Sequence, residues 1–522
     1  MRVPGDMGAT TAPVQHPAKH ELSPAYYSLG DLRAVLELNP DLDMSSESRG
    51  KIRAGADFAL QKAEEGKRHL YGVNTGFGAL CETRVDGSRM RELQRNLILS
   101  HAAGVGEIAG VDLCRLTLFI KLLTFRTGHT GISVETVQRL MDFWNRGIIP
   151  GIPLKGTVGA SGDLAPLAHM ALPLLGLGCA YLRGELVTGE RALAEMGWRP
   201  LELNPKEGLA LINGVQFIDA IAVRCLMRIQ DLLKYADLIA SLSIQAFSAS
   251  RTFYQPLYVE TSFHLERREV AANLGKLLEG SNHFELATCN KSMQDPYSFR
   301  CIPQVHGAVR QTFKFAADVM EKECNGVSDN PLFFPDRDEV LFGGNLHGES
   351  TALVLDYLAI ATSELSSISE RRTYQLLSGQ RGLPDFLTKY AGVCSGLMVA
   401  QYTSAALVNE NKVLSTPASV DTIPTCQLQE DHVSMGGTAA NKLCQVIDNC
   451  EHVLAIELLA STQALQLKED LTPSPSARAV LADFRRHVSF MEQDRVLSDD
   501  IASANVFLKE QLSRWSKEFD LV

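Results

Sequence analysis

The residues with the most unusual chemical potential lie in the segment GTVGASGDLAPLAHM, residues 156–170. Around Gly159-Ala160-Ser161-Gly162-Asp163 there is almost no side-chain bulk, and glycine permits backbone conformations and approaches that a side chain forbids. If the Gly162 nitrogen attacks the Ala160 carbonyl and water is lost, including the Ser161 hydroxyl, a conjugated five-membered ring forms. Such a ring is a stronger electrophile than any natural side chain. Taken alone, the tripeptide reads as a Gly-rich turn before a helix, and its chemistry depends on which polar groups meet it.

Several polar breaks offer such groups. Tyr71 stands in the glycine-rich stretch HLYGVNTGFGAL, where its hydroxyl either anchors the loop or reaches over a substrate. As a base it needs its pKa brought down from about 10, at about 1.36 kcal/mol per unit. Gln294, Asp295, Tyr297 and Arg300 bring an amide, a hydroxyl and a guanidinium within a short span. The arginine suits bidentate capture of a carboxylate, or else makes a surface pair with Asp295. Asn213, in LINGVQ, reads as a turn residue, and His101, in ILSHAAG, as a satisfied histidine in an apolar helix. Glu430-Asp431-His432 has the composition of a metal triplet, but consecutive residues cannot all face one ion and helically spaced partners are missing. No metal is expected. An internal Glu430 must therefore meet a cation or a hydrogen-bond donor.

The elements that would position these groups are mainly helical. The 522 residues carry a formal charge of −11 and are 45% hydrophobic, an ordinary globular composition that argues against nucleic-acid binding. Eleven dispersed Cys without a CxxC pair fit reduced thiols in a cytoplasmic protein. The first 25 residues lack an apolar core and read as a mobile tail rather than a secretory signal. The most apolar run, residues 164–182, contains His169, prolines and glycines and reads as a buried helix and turn, so no membrane span is expected.

Helical periodicity covers residues 28–65, with short turns near Asn39-Pro40 and Ser45, then 89–127 and 134–145. AYLRGELVTG is a hairpin signal. After residue 206 the chain is almost wholly helical, over 215–248, 265–280, 303–324, 349–379, 394–413, 437–466 and 476–517. Runs of this length point to a central bundle, with apolar faces left for other subunits. The expected organisation is a tail (1–25), a smaller mixed domain carrying the 156–170 loop (26–206), and a helical bundle with C-terminal helices (207–522).

Taken in order, YGVNTGFG, LQRNLILSHAAGVG, GTVGASGDLAPLAHM, EGLALING, QDPYSFRC, SERR, NENK, PASVD and QEDHVSMG resemble the aromatic amino-acid ammonia-lyases and aminomutases. These carry the prosthetic group 4-methylidene-imidazol-5-one (MIO) and share a long-helix architecture with the fumarase/aspartase group. The resemblance spans about residues 30–470 and is strongest to the histidine ammonia-lyases. It implies that Ala160, Ser161 and Gly162 cyclise autocatalytically into MIO, with no metal or nucleotide. It makes Tyr71 the base for the β-proton and places Asn213 beside the ring oxygen. Tyr297 and Arg300 then hold the ring and the substrate carboxylate, and Gln294 is a further pocket residue.

For the substrate, Ser100-His101 and Glu430 match histidine enzymes, and the resemblance implies elimination of ammonia from L-histidine to give trans-urocanate. Where the family has GNFH this chain has Gly344-Asn345-Leu346-His347, and where it has SANQED the chain reads Cys426-Gln427-Leu428-Gln429-Glu430-Asp431. An aromatic pocket wall thus becomes Leu346. The alternatives are a tyrosine or phenylalanine ammonia-lyase or aminomutase using the same ring, and a helical scaffold that keeps the fold with an uncyclised ASG. Lys291-Ser292-Met293-Gln294-Asp295-Pro296 is a faint echo of the fumarase/aspartase loop. The family precedent also implies a homotetramer whose sites are shared between subunits.

Overall fold

The helix Gln216–Phe247 is buried around its circumference along its second half, where every residue from 235 to 249 is enclosed. A helix without a solvent face belongs at the centre of a bundle. It packs against Gly436–Leu467, Ile302–Asn325 and Glu349–Leu376. Met398–Leu414 lies against Glu349–Leu376 and Gly436–Leu467, and the C-terminal Leu497–Glu518 flanks Gly436–Leu467. The computed structural model describes residues 19–65, 69–288 and 294–522. The fold is the mainly helical long-helix bundle that the periodicity predicts.

Buried ion pairs fix how these helices register. Arg372 reaches both oxygens of Glu457, with Nε and Nη2 at 2.6 and 2.8 Å, and Ser243 and Ser369 donate to the same carboxylate. Asp237 accepts from Arg310 at 2.6 Å and pairs with His306 at 2.7 Å. Sliding either helix would strand a buried charge, at a cost of several kcal/mol. By length and composition Glu349–Leu376 could cross a membrane, but 67% of its most apolar window is buried among these neighbours. Its apolarity serves the bundle core.

The smaller mixed region supplies the loops. The hairpin Cys179–Leu182 with Glu185–Thr188 forms as predicted and pairs with Ile148–Pro150. Its turn residues Arg183 and Gly184 both have positive φ, as a two-residue hairpin of this hand requires. Val105–Ile108 pairs antiparallel with Pro153–Lys155, immediately before the 156–163 turn. One apolar core joins residues on both sides of position 206, from Leu22 to Leu521.

Four sequence expectations need correction. The proposed tail extends too far: Lys19–Leu22 is a strand, parallel to Asp41–Met44, while residues 1–18 lie outside the described residues. The breaks expected at Asn39-Pro40 and Ser45 both occur, Asn39 ending its helix at φ 44 where Pro40 cannot continue it, but the residues between them form the strand Asp41–Met44 rather than helix. The run 89–127 forms the two helices its apolar segments predict, Met90–His101 and Val111–Phe125, but the unexpected strand Val105–Ile108 lies between them. The run 476–517 is two helices, Pro475–Phe484 and Leu497–Glu518. Between them the Gln463 side chain pairs with both N–H and C=O of Met491, and Arg495 folds onto the Ser489 carbonyl. Those contacts satisfy backbone groups that a helix would otherwise satisfy internally. Of the echo at 291–296, residues 291–293 lie outside the described residues.

Candidate active site

The 156–163 turn is clamped onto the N-terminus of the central helix. Gly162 forms a bridge with Gly214, and the Asp163 N–H donates to the Gly214 carbonyl at 2.6 Å. Gly162 has φ +76, and a Cβ there would lie 2.0 Å from the Gly214 oxygen, so only glycine fits. Asp163 is fully buried and accepts from the N–H groups of Phe217 and Ile218, each at 2.9 Å, and from Thr157 Oγ1 at 2.8 Å. A carboxylate is favoured at a helix N-terminus, yet burial still pushes Asp163 up to about 6. From the other side, Ser434 Oγ and the Gly348 N–H each donate to the Gly159 carbonyl at 3.2 Å.

Asn213 closes the wall. Lys121, itself buried and pushed down to about 7 by that burial, donates to the Asn213 backbone carbonyl at 2.6 Å. The Asn213 side chain is only 2% exposed, and its Oδ1 has no hydrogen-bond partner. A buried polar atom without a partner costs stability and marks a place where another group belongs.

Glu430 faces this turn from the opposite loop. It accepts from Ser161 Oγ at 2.5 Å and also takes the Thr425 hydroxyl. Tyr71 Oη accepts from the Gly78 N–H at 3.0 Å; burial raises its pKa, the Gly78 contact lowers it, and Glu430 raises it further. His101, with Ser100 Oγ 3.0 Å from Nδ1, has its pKa lowered by burial and so stays a neutral imidazole. These groups line a cavity of about 630 Å³ that contains Tyr71, Ser161, Asn213, His101 and Glu430. An adjoining cavity of about 360 Å³ shares the first three and Glu430 and adds Ala160 and Leu346. Asp431 and His432 line that second space. His432 stacks on His347 at 5.6 Å and accepts His347 Nε2 on its carbonyl at 3.0 Å, away from Glu430.

Gln294, Tyr297 and Arg300 are elsewhere. Phe299 stacks on Phe247 at 4.4 Å, at the far end of the central helix, whose near end carries Asn213. That helix has 32 residues, and at 1.5 Å per residue the two ends are roughly 45 Å apart. Tyr297 is 70% exposed, and the Arg300 guanidinium lies 4.4 Å over its ring. Asp295 pairs with Arg381 at 3.0 Å and with the Ser250 N–H at 2.7 Å, so the Arg300–Asp295 surface pair does not form. Gln294 is exposed beside them. One chain therefore assembles the Ala160-Ser161-Gly162 turn, a phenol, an amide and a carboxylate, and leaves a guanidinium and a second phenol at its other end.

Sequence reading missed Lys121, Asp163, Thr157 and Thr425. Asp163 had a signal, being the residue directly after Ala160-Ser161-Gly162 and ahead of a helix. Lys121 sits mid-helix in an apolar run, where only its burial reveals a role. Thr425 acts by closing a six-residue loop onto Glu430, and nothing in its neighbours announces that.

A family model described as aromatic amino acid lyase matches residues 27–486. The histidine ammonia-lyase of Symbiobacterium thermophilum is 46% identical over 480 residues, covering 91% of this chain and 94% of that protein. The crystal structure of histidine ammonia-lyase from Trypanosoma cruzi superposes with a TM-score of 0.88 at 37% identity, covering 96% and 95% of the two chains. Tyrosine aminomutase from Streptomyces globisporus gives 0.90 at 33% identity, covering 96% and 98%. With the motif order, the long-helix bundle and the enclosed Ala160-Ser161-Gly162 turn all in agreement, the chain belongs to the aromatic amino acid lyase family.

Proposed function

We propose that this carbon–nitrogen lyase eliminates ammonia from L-histidine to give trans-urocanate, using MIO formed from Ala160, Ser161 and Gly162. The observation that carries the proposal is the Glu430 carboxylate, held in the cavity 2.5 Å from Ser161 and across from Tyr71 and His101. A carboxylate there accepts an imidazole N–H, whereas a phenyl ring would leave it unpaired at a cost of about 1–3 kcal/mol. The relatives named histidine ammonia-lyase support the same substrate.

The residues present fit the ring. Cyclisation joins the Gly162 nitrogen to the Ala160 carbonyl carbon and expels two waters, one carrying the Ser161 oxygen. The turn is free of side chains on its tight face, the Ser161 hydroxyl that would leave as water is held by Glu430, and the unpartnered Asn213 amide faces a group still to be made. When formed, the ring supplies an electrophile for the substrate amine. Tyr71 then removes the β-proton, Glu430 and His101 orient the imidazole, and Leu346 bounds the pocket. Removal of water from this cavity strengthens each of these contacts.

Capture of the substrate carboxylate falls to Arg300, with Tyr297 and Gln294 beside it. Because these lie roughly 45 Å from Ser161 within one chain, they act on the site of a second copy. Leu353, Tyr357 and Ile360 form an exposed apolar stripe on Glu349–Leu376, which supports association of the bundles into a homotetramer. The free thiols among the described residues support a cytoplasmic setting.

Two measurements test this reading. Incubation with L-histidine, L-tyrosine and L-phenylalanine, followed for the conjugated acrylate and any β-amino acid, should give urocanate as the dominant product. Coumarate, cinnamate or a β-amino acid in its place would sink the histidine assignment. Mass spectrometry of the peptide spanning residues 156–170 should show the loss of two waters; an intact peptide would make the chain a scaffold. Since burial raises the Tyr71 pKa and the base form is required, turnover should climb as pH rises from neutral into the alkaline range.

A further inference from the structure

Cys426 touches both halves of the candidate site. Its sulfur accepts the Ala79 N–H at 3.2 Å, and a Cβ on the preceding Gly78 would come within 2.2 Å of it. The Gly78 N–H is the one hydrogen bond at the Tyr71 hydroxyl among the described residues. Two successive amides are thus divided between two acceptors, the phenol oxygen and the sulfur. Gly78 has φ +54 and opens the short turn Gly78–Leu80, so its N–H direction depends on how that turn is held.

The other side of the contact is equally constrained. Cys426, Gln427 and Leu428 are three consecutive non-glycine residues with φ of 51, 54 and 71, a left-handed run that side chains resist. Leu428 N–H on the Thr425 carbonyl and Gln429 N–H on the Cys426 carbonyl, both at 3.1 Å, hold it in place. The Thr425–Glu430 bridge closes the same turn. The strained loop that presents Glu430 therefore also presents the sulfur to the Tyr71 loop.

We propose that Cys426 is a positioning residue for Tyr71: its sulfur fixes the Gly78–Ala79 turn so that the Gly78 N–H stays on the phenol oxygen. The consequence for catalysis rests on the reading of Tyr71 as the base. An N–H aimed at the oxygen favours the phenolate, and here it acts against burial, which raises the pKa. Sulfur suits the task because its long bond and soft lone pairs accept an amide across a gap that packs against glycine. Loss of the sulfur should leave substrate contacts intact and make the base harder to ionise.

The test compares wild type, Cys426→Ala, Cys426→Ser and Tyr71→Phe. Phenolate absorbance is titrated in each, and the Tyr71→Phe curve is subtracted from the wild-type curve to isolate the transition of Tyr71. In Cys426→Ala a transition should move up by roughly half to one pH unit. Its kcat for L-histidine should fall roughly tenfold with KM changed less than about twofold. The acid limb of its rate profile should move by the same amount as the titration, and Cys426→Ser, which keeps an acceptor, should recover most of each loss. A titration unchanged in Cys426→Ala, or equal shifts in the Ala and Ser variants, overturns the proposal. The titration judges the Cys426–Tyr71 contact even if wild type turns over none of the amino acids, which would instead remove the proposed function.

Discussion

The two ends of the central helix differ in how complete they are. At the Asn213 end every backbone approach around Ser161 is fixed: Gly162 against Gly214, Asp163 on the helix N-terminus, the Gly159 carbonyl between Ser434 and Gly348. At the Phe247 end Tyr297 stands 70% exposed and the Arg300 guanidinium rests on its ring. The first end holds the turn from which the proposed ring would form, and that cyclisation requires a fixed backbone before any substrate arrives. The second holds Arg300 and Tyr297, which the proposed function assigns to the substrate carboxylate, roughly 45 Å away along the helix. Under the proposed shared site, the bundle's length would separate functions that a second, oppositely placed copy brings back together.

The sharpest way to break the contrast is to disable each end in turn. Ser161→Ala removes the hydroxyl that the ring must lose, and turnover should fall by at least ~10³-fold, about 4 kcal/mol. Arg300→Ala should cost ~100-fold, about 3 kcal/mol, mostly through loss of the substrate carboxylate. Co-assembling the two inactive variants should restore up to about a quarter of wild-type activity, because some mixed sites take an intact turn from one copy and an intact Arg300 from another. If mixed assemblies stay as inactive as their parents, the far-end residues do not complete a neighbour's site.

These ends were unequally legible in the sequence. Glycine density at 156–162 and the residues around it could be read because tight backbone approach demands one residue type, and the long helices because their apolar faces repeat. The separation of Tyr297 and Arg300 from Tyr71 could not, since periodicity measures the length of a helix and says nothing of which side chains share an end. The buried partners of the turn were hidden for a related reason. Lys121 and Asp163 have the same letters as surface charges, and only three-dimensional enclosure makes one a ligand of the Asn213 carbonyl and the other a clamp on Phe217 and Ile218.

A gentler change sharpens the comparison at the substrate end of the pocket. Glu430→Gln keeps the shape and one acceptor but removes the charge. Turnover of L-histidine should fall ~10-fold or more, about 1.4 kcal/mol, while any residual activity on tyrosine or phenylalanine should fall less. Equal losses across the three amino acids would show that Glu430 serves ring formation through Ser161 and does not read the imidazole.

The smallest effect is on stability, and its sign follows from burial at the catalytic end. The Asp163 carboxyl titrates near 6 in the folded chain against an ordinary 3.8. A raised acid pKa means that the folded state holds the proton more tightly. The stability linked to that proton is therefore full below about pH 4 and is lost as pH rises through 6. Lys121 runs the opposite way, near 7 against an ordinary 10.5, so the stability linked to its neutral amine is absent below 7 and returns towards alkaline pH. Together they place the least favourable window between about pH 6 and 7. The melting temperature of wild type minus that of Asp163→Asn should drop by roughly 1–3 °C between pH 4 and 6, small because the chain is long and its unfolding entropy large. The same subtraction for Arg300→Ala, at the exposed end, should be flat across that range. A flat curve for Asp163→Asn as well would mean that its helix N-terminus contacts fully offset its burial, and the catalytic end would then be no more strained than the other.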